Sequence, residues 1–207
     1  MHAFSILVPV FGLASAALAQ TTGGDLNTLT SAAAHYVSSG MAGEHAPETL
    51  ALSVLTGDNG SPTSGVLMAS AADVQHWTFR YRILPAGTPL EAQTLPGCPA
   101  PTQPQPQTHR TVVAQCTQGV FNHFAFSPVP VSGVKSLEYT WVAVSLDQAI
   151  ANLNVNGYVR GFSSVELKRP DQAGFPDDLV YVFNCPWERR QVAISGQTGA
   201  LTWTYND

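Results

Sequence analysis

Between His76 and Leu84 the chain alternates strictly. Trp77, Phe79, Tyr81 and Ile83 fall on one side of an extended strand, and Thr78, Arg80 and Arg82 on the other. A strand of this pattern lays its aromatic side on a core. The same period of two returns at Val165 and Leu167 against Glu166 and Lys168, closed by Pro170. Leu179 to Cys185 is a near-continuous β-branched and aromatic run, ended by Pro186, which removes a backbone donor. Thr49 to Leu55 reads as a strand through Leu50, Leu52 and Val54. Thr111 to Cys116 with Val120 to Ser127 reads as a hairpin, ended by Pro128 and Pro130, and Leu137 to Val144 as one more strand. Gly65 to Ala72 fits strand or helix equally.

Helical spacing occurs twice. Leu26, Leu29, Ala33, Tyr36 and Val37 form a stripe that Asp25 can cap and Gly40 can stop. Leu146, Ala149, Ile150 and Leu153 form a second. It opens with Ser145 and Gln148 in a capping box, carries Asp147 at the positive end of the dipole, and closes at Asn156-Gly157. Gln191 to Ser195 and Ala200 to Tyr205 flank Gly196-Gln197-Thr198-Gly199. Those glycines supply the positive φ of a tight hairpin, and Leu201, Trp203 and Tyr205 share one face.

A helix across a sheet closed by a hairpin carrying Val192, Thr198, Gly199 and Leu201 resembles the PepSY-like and wider cystatin-like families over about the last sixty residues. The resemblance implies a non-catalytic, extracytoplasmic module associated with peptidase inhibition or with regulation of neighbouring proteins. The expected fold class is therefore α+β, a helix packed on antiparallel sheet. The sequence of helix, strands and hairpin occurs twice, so two tandem cystatin-like or PepSY-like units are one reading and a single irregular α+β domain the other.

Composition adds a compartment. Residues 1–19 carry no Asp, Glu, Lys or Arg, hold the apolar run Ile6 to Ala19 and end in Ala17-Leu18-Ala19, the features of a cleaved signal peptide. The expected organisation is a signal peptide over 1–19, an N-terminal α+β unit over 20–144 with a proline-rich loop at 85–108, and a C-terminal unit over 145–207. The product is expected to be secreted, with no membrane attachment after cleavage. A net charge of −5 with scattered basic residues argues against nucleic acid. Of three cysteines, Cys98 and Cys116 flank the proline-rich segment and are the preferred disulfide, leaving Cys185 unpaired; the other two pairings stay open.

The residues hold no recognisable catalytic, metal or cofactor motif. His109, Cys116 and His123 lack the short paired spacing of zinc ligands. Glu44, His45 and Glu48, and the pair Asp177-Asp178, read as solvated loop carboxylates and their neighbours. Asp58-Asn59-Gly60 resembles a fragment of a calcium loop without its remaining ligands. Asn59-Gly60-Ser61 is a glycosylation sequon or simply a turn. The binding surface indicated by residue type is the Pro186 to Arg190 turn, where Trp187 stands beside Arg189 and Arg190. Trp and Arg dominate binding hot spots, although a Trp folded back on the sheet would leave only a solvated tip. The expectation is a secreted, non-enzymatic binding or inhibitory module for a protein or peptide partner. A secreted hydrolase with an unrecognised site and a structural surface protein are the alternatives.

Overall fold

The computed structural model describes residues 26–41, 49–60, 65–84, 111–127, 129–137, 142–171, 175 and 177–206. The alternating segments become strands and the two apolar stripes become helices. In chain order these are α1 (Leu26–Met41), β1 (Thr49–Asp58), β2 (His76–Leu84), β3 (Thr111–Thr117), β4 (Val120–Ser127), β5 (Val134–Lys135), α2 (Leu146–Val155), β6 (Ser164–Pro170), β7 (Val180–Cys185), β8 (Arg190–Ser195) and β9 (Leu201–Asn206). The sheet runs β4-β3-β2-β1-β6-β7-β8-β9 with every neighbour antiparallel, and β5 pairs with the far end of β6.

This corrects the expected fold class. In place of an α+β arrangement of helix on sheet, possibly as two tandem cystatin-like or PepSY-like units, the chain builds one sheet-dominated architecture: nine strands in a common sheet against two α-helices among the described residues. The physical reason is the β1–β6 pair. Leu55 stands opposite Leu167 and Gly57 opposite Val165, so the edge strand of one meander is hydrogen-bonded to the edge strand of the other. Pairing abolishes two exposed edges.

Period-two alternation then decides which side is core. Through the register, Phe79 faces Leu55 and Ala114, Leu167 faces Tyr181, and Tyr181 faces Ile194. These residues share one continuous apolar cluster with Leu29, Ala33 and Val37 of α1 and with Leu146, Ala149, Ile150 and Leu153 of α2. Both helices therefore cover the same face. Tyr36 of α1 stacks on Phe121 of β4 at 5.1 Å between ring centroids, and Phe121 meets Phe79 at 5.8 Å. The opposite face holds a small cluster of Val180, Val182 and Ala193 under Trp203, with Phe175 against the Trp203 ring.

Local expectations fare unevenly. The Ser145–Gln148 capping box forms as read, with reciprocal bonds of 3.2 and 2.9 Å, and α2 ends at Asn156. Helix α1 runs through Gly40 to Met41 instead of stopping at it. Leu137 to Val144 contributes no strand where it is described. Leu137 donates to Leu52, and the amides of Ala143 and Val144 both reach the carbonyl of Gly196, fastening the approach to α2 onto the β8–β9 turn. In that turn Gly199 alone takes a positive φ, 74°, beneath Asn152 of α2. Gly196 serves close packing: a Cβ there would lie 3.1 Å from the Leu179 carbonyl. A bulge sets Trp203 opposite Ala193 but Leu201 opposite Ile194, so Leu201 does not keep the face of Trp203. Residues 1–19, expected to be a signal peptide, and the proline-rich segment 85–108 lie outside the described residues.

Candidate functional site

One end of the sheet gathers the end of β1, the start of β6 and the β7–β8 turn. Between them the segment after β1 folds back as a wall. Met68 and Phe162 exchange backbone bonds of 2.8 and 2.9 Å, and a Cβ on Gly161 would lie 2.7 Å from the Met68 carbonyl, so the two backbones touch there. Asn59 Nδ2 donates to the Val66 carbonyl at 3.0 Å, and the Asp73 carboxylate accepts the amides of Ala69 and Ser70 at 2.9 Å. The bonds from Ala69 and Ser70 hold the Asp73 carboxyl below the usual carboxylate range. The result is an open groove of about 560 Å³ lined by Asp58, Asn59, Gly65 to Leu67, Ser163, Ser164, Pro186 and Trp187.

Trp187 is 65% exposed on one wall of this groove, and Val66 is exposed on another. An exposed indole costs hydrophobic stabilisation that a core position would gain. The Arg160 guanidinium lies 5.7 Å from the Trp187 ring centroid, a cation–π contact that steadies the ring without burying it. The turn itself is bent at Arg189, whose φ of 51° is left-handed, a region that glycine enters at no steric cost. Of the three binding residues indicated by the sequence, Trp187 lines the groove, whereas Arg189 and Arg190 are exposed beside it on the turn and the first position of β8. Sequence reasoning missed Arg160 and Val66. The available signal for Arg160 was its place between Gly157 and Gly161, both of which take positive φ.

The other sequence candidates disperse. Asp58 and Asn59 belong to the groove wall by local bonding. Asp58 Oδ1 accepts from the Gly60 amide at 2.6 Å, an Asx-type turn, and His76 Nδ1 stands 3.3 Å from the same carboxylate. The sequon residue Asn59 is half-buried, and Ser61 lies outside the described residues. Asp177 bridges Lys135 and Arg169 at 2.9 and 2.8 Å, hydrogen bonds that lower its carboxyl pKa, while Asp178 takes the Ser195 hydroxyl at 2.5 Å. Those two carboxylates pin loops and do not act as a pair. Cys116 is a free thiol wholly buried in the core, so the bridge expected to Cys98 is not present on its described side; Cys98 lies outside the described residues. His123 is exposed opposite Gln115 on β4, apart from buried Cys116. His109 and the Glu44, His45, Glu48 group lie outside the described residues.

Chemically, the groove offers an aromatic wall and a few polar groups. Asp58 and His76 have the arrangement of an orienting acid and a base. Ser163, which also lines the groove, gives its hydroxyl to the Asn184 carbonyl at 3.4 Å. Cys185, beneath the turn, is buried, and burial with the nearby Glu188 charge pushes its thiol up to about 12, which holds it protonated. A second groove of about 620 Å³ crosses the helix-free face between Arg80, Gln115, Glu166 and Lys168 and the strap Val129 to Val134, but its Lys168 and Glu166 are spent on each other at 2.8 Å. No family model, curated protein or solved structure matches the chain.

Proposed function

We propose that the protein is a secreted binding or inhibitory module that engages a protein or peptide partner through the groove beside Trp187. The observation that carries this reading is an indole left 65% exposed on the wall of a groove whose far wall is tied by the Met68–Phe162 and Asn59–Val66 bonds. A rigid aromatic anchor beside a preformed cleft loses little entropy when it is covered, which is the condition for a hot spot. The export reading rests on the charge-free, apolar residues 1–19. The relation to PepSY-like and cystatin-like modules belongs to the same proposal and rests on the hairpin residues named above.

The competing reading is a secreted hydrolase, favoured by the Asp58–His76 pair and by Ser163 and Ser164, which line the groove with Asp58. One pair of experiments separates them. A displayed library of short random peptides, panned on the exported chain, should yield ligands that bind Trp187→Ala at least about tenfold more weakly, a difference of about 1.4 kcal/mol. Peptide, ester and glycoside substrates should be unchanged by the same chain. Turnover that disappears in His76→Gln would establish the hydrolase instead.

A further inference from the structure

The charges around Trp187 define the chemistry of the partner. Of the nine lysines and arginines in a chain of net charge −5, three are at this tip: Arg160 against the indole, and Arg189 and Arg190 two and three residues beyond it. Elsewhere four described basic groups are engaged, while Arg80 stands exposed on the helix-free face and Arg110 lies outside the described residues. Lys135 and Arg169 hold Asp177, Lys168 holds Glu166, and Arg82 donates to Ser53 and to the Val134 carbonyl. Arg160, Arg189 and Arg190 have no carboxylate partner among the described residues.

Neither Asp58 in the groove nor Glu188 on the turn forms an ion pair with them. Asp58 is occupied by the Gly60 amide and His76. Glu188 sits close enough to Cys185 to raise that thiol, and its Oε2 is buried with no hydrogen-bond partner. The tip thus presents three planar donors and one open aromatic surface, on a turn that places an arginine at a left-handed φ.

We propose that the partner offers this site an acidic segment: an apolar or aromatic side chain covers Trp187 in the groove while Asp or Glu carboxylates flanking it pair with Arg160, Arg189 and Arg190. This rests on the binding reading above and names its ligand. Guanidinium forks bind carboxylates in two parallel hydrogen bonds, and a carboxylate near Arg160 gains from a cation already ordered by the indole. Three positive groups on an otherwise acidic molecule also steer an acidic partner to this end of the sheet.

The test uses the exported chain, immobilised, and a displayed library of random peptides of about twelve residues, long enough to cover a groove and its rim. Peptides retained by the wild type and lost by Trp187→Ala should be enriched in Asp and Glu around an apolar residue. Synthetic versions should bind the triple variant Arg160→Gln, Arg189→Gln, Arg190→Gln about tenfold or more weakly. Their affinity should fall as salt rises from about 50 mM to about 500 mM, since exposed charges are screened over that range. Trp187-dependent peptides that are neutral or basic, or that bind the triple variant equally well, would overturn the acidic ligand and leave the groove reading standing. Failure to obtain any Trp187-dependent peptide would remove both. A single-stranded oligonucleotide bound as tightly as the peptides, with the same dependence on the three arginines, would show a general polyanion patch and overturn the peptide assignment. Circular dichroism melting of each variant guards against loss of folding, and Arg189→Lys should keep part of the affinity if charge is the property used.

Discussion

Two hairpin tips close the same end of the sheet, and both contain a non-glycine residue at a φ of 51°. In the β3–β4 turn it is Gln118, in the β7–β8 turn Arg189. Gln118 is tied down: its amide reaches the Gln75 carbonyl at 2.7 Å and its side chain the Gln75 side chain at 3.3 Å. Arg189 has one backbone bond, to Pro186 at 3.2 Å, and no side-chain bond among the described residues. Equal backbone strain is thus offset by docking in one turn and left uncompensated in the other. A buried cysteine precedes each, Cys116 and Cys185, but only the second tip carries an exposed Trp and adjoining arginines. The first turn finishes a sheet; the second presents side chains.

The largest contrast lies between two tryptophans at this end. Trp77, paired with Cys116 and only 5% exposed, belongs to the core. Trp77→Ala should cost about 3–5 kcal/mol in urea unfolding. Trp187→Ala should shift stability by no more than about 0.5 kcal/mol, as surface changes do. A comparable loss at Trp187 would mean that the indole supports the fold and is not held out for a partner.

Next in size is the alkaline response of Cys185. Its folded value near 12 exceeds the ordinary 9, so the folded state keeps a proton that the unfolded chain gives up. Stability is therefore intact below about 9 and falls as pH rises from there through 12. Thiol titration with a disulfide reagent at pH 8 should find Cys116 and Cys185 unreactive until denaturant is added, because burial raises both. Rapid labelling of Cys185 in the native chain would show that its tip opens where the Gln118 tip does not.

The smallest difference is also the most direct. Arg189→Gly should stabilise the chain by about 0.5–1 kcal/mol, relieving a left-handed residue with nothing else to lose. Gln118→Gly relieves the same strain but forfeits the bond to Gln75, so its net effect should lie near zero. Equal gains in chemical denaturation would erase the distinction between the turns.

Much of this was readable from residue patterns, because it is local. Alternation at Trp77, Phe79, Tyr81 and Ile83 specifies a strand and its buried side, and Ser145 with Gln148 specifies a helix start to the residue. The turn after Pro186 was legible with its arginines, but whether Trp187 stands out from it or folds back on the sheet was not. What escaped depends on residues distant in the chain. Nothing in Val54 to Gly57 announces Val165 to Lys168 as its partner, yet that pairing turns two expected units into one sheet. Nor does the apolar run Leu137 to Val144 reveal that the amides of Ala143 and Val144 are claimed by Gly196. The groove escaped for the same reason, since Val66, Ser163 and Trp187 come from three segments joined only by tertiary contact.

The β1–β6 seam also bears on the order in which the chain can fold. Each meander closes through pairings between consecutive strands, β1 to β4 on one side and β6 to β9 on the other, whereas the seam joins segments farther apart in the chain. Loop-closure entropy makes such a pairing late, and during synthesis β1 emerges long before β6 exists. For that interval β1 is an open edge bearing Val54 and Leu55, able to pair with another nascent copy. Native-state hydrogen exchange should accordingly find the amides across the seam opening as one unit, ahead of those within either meander.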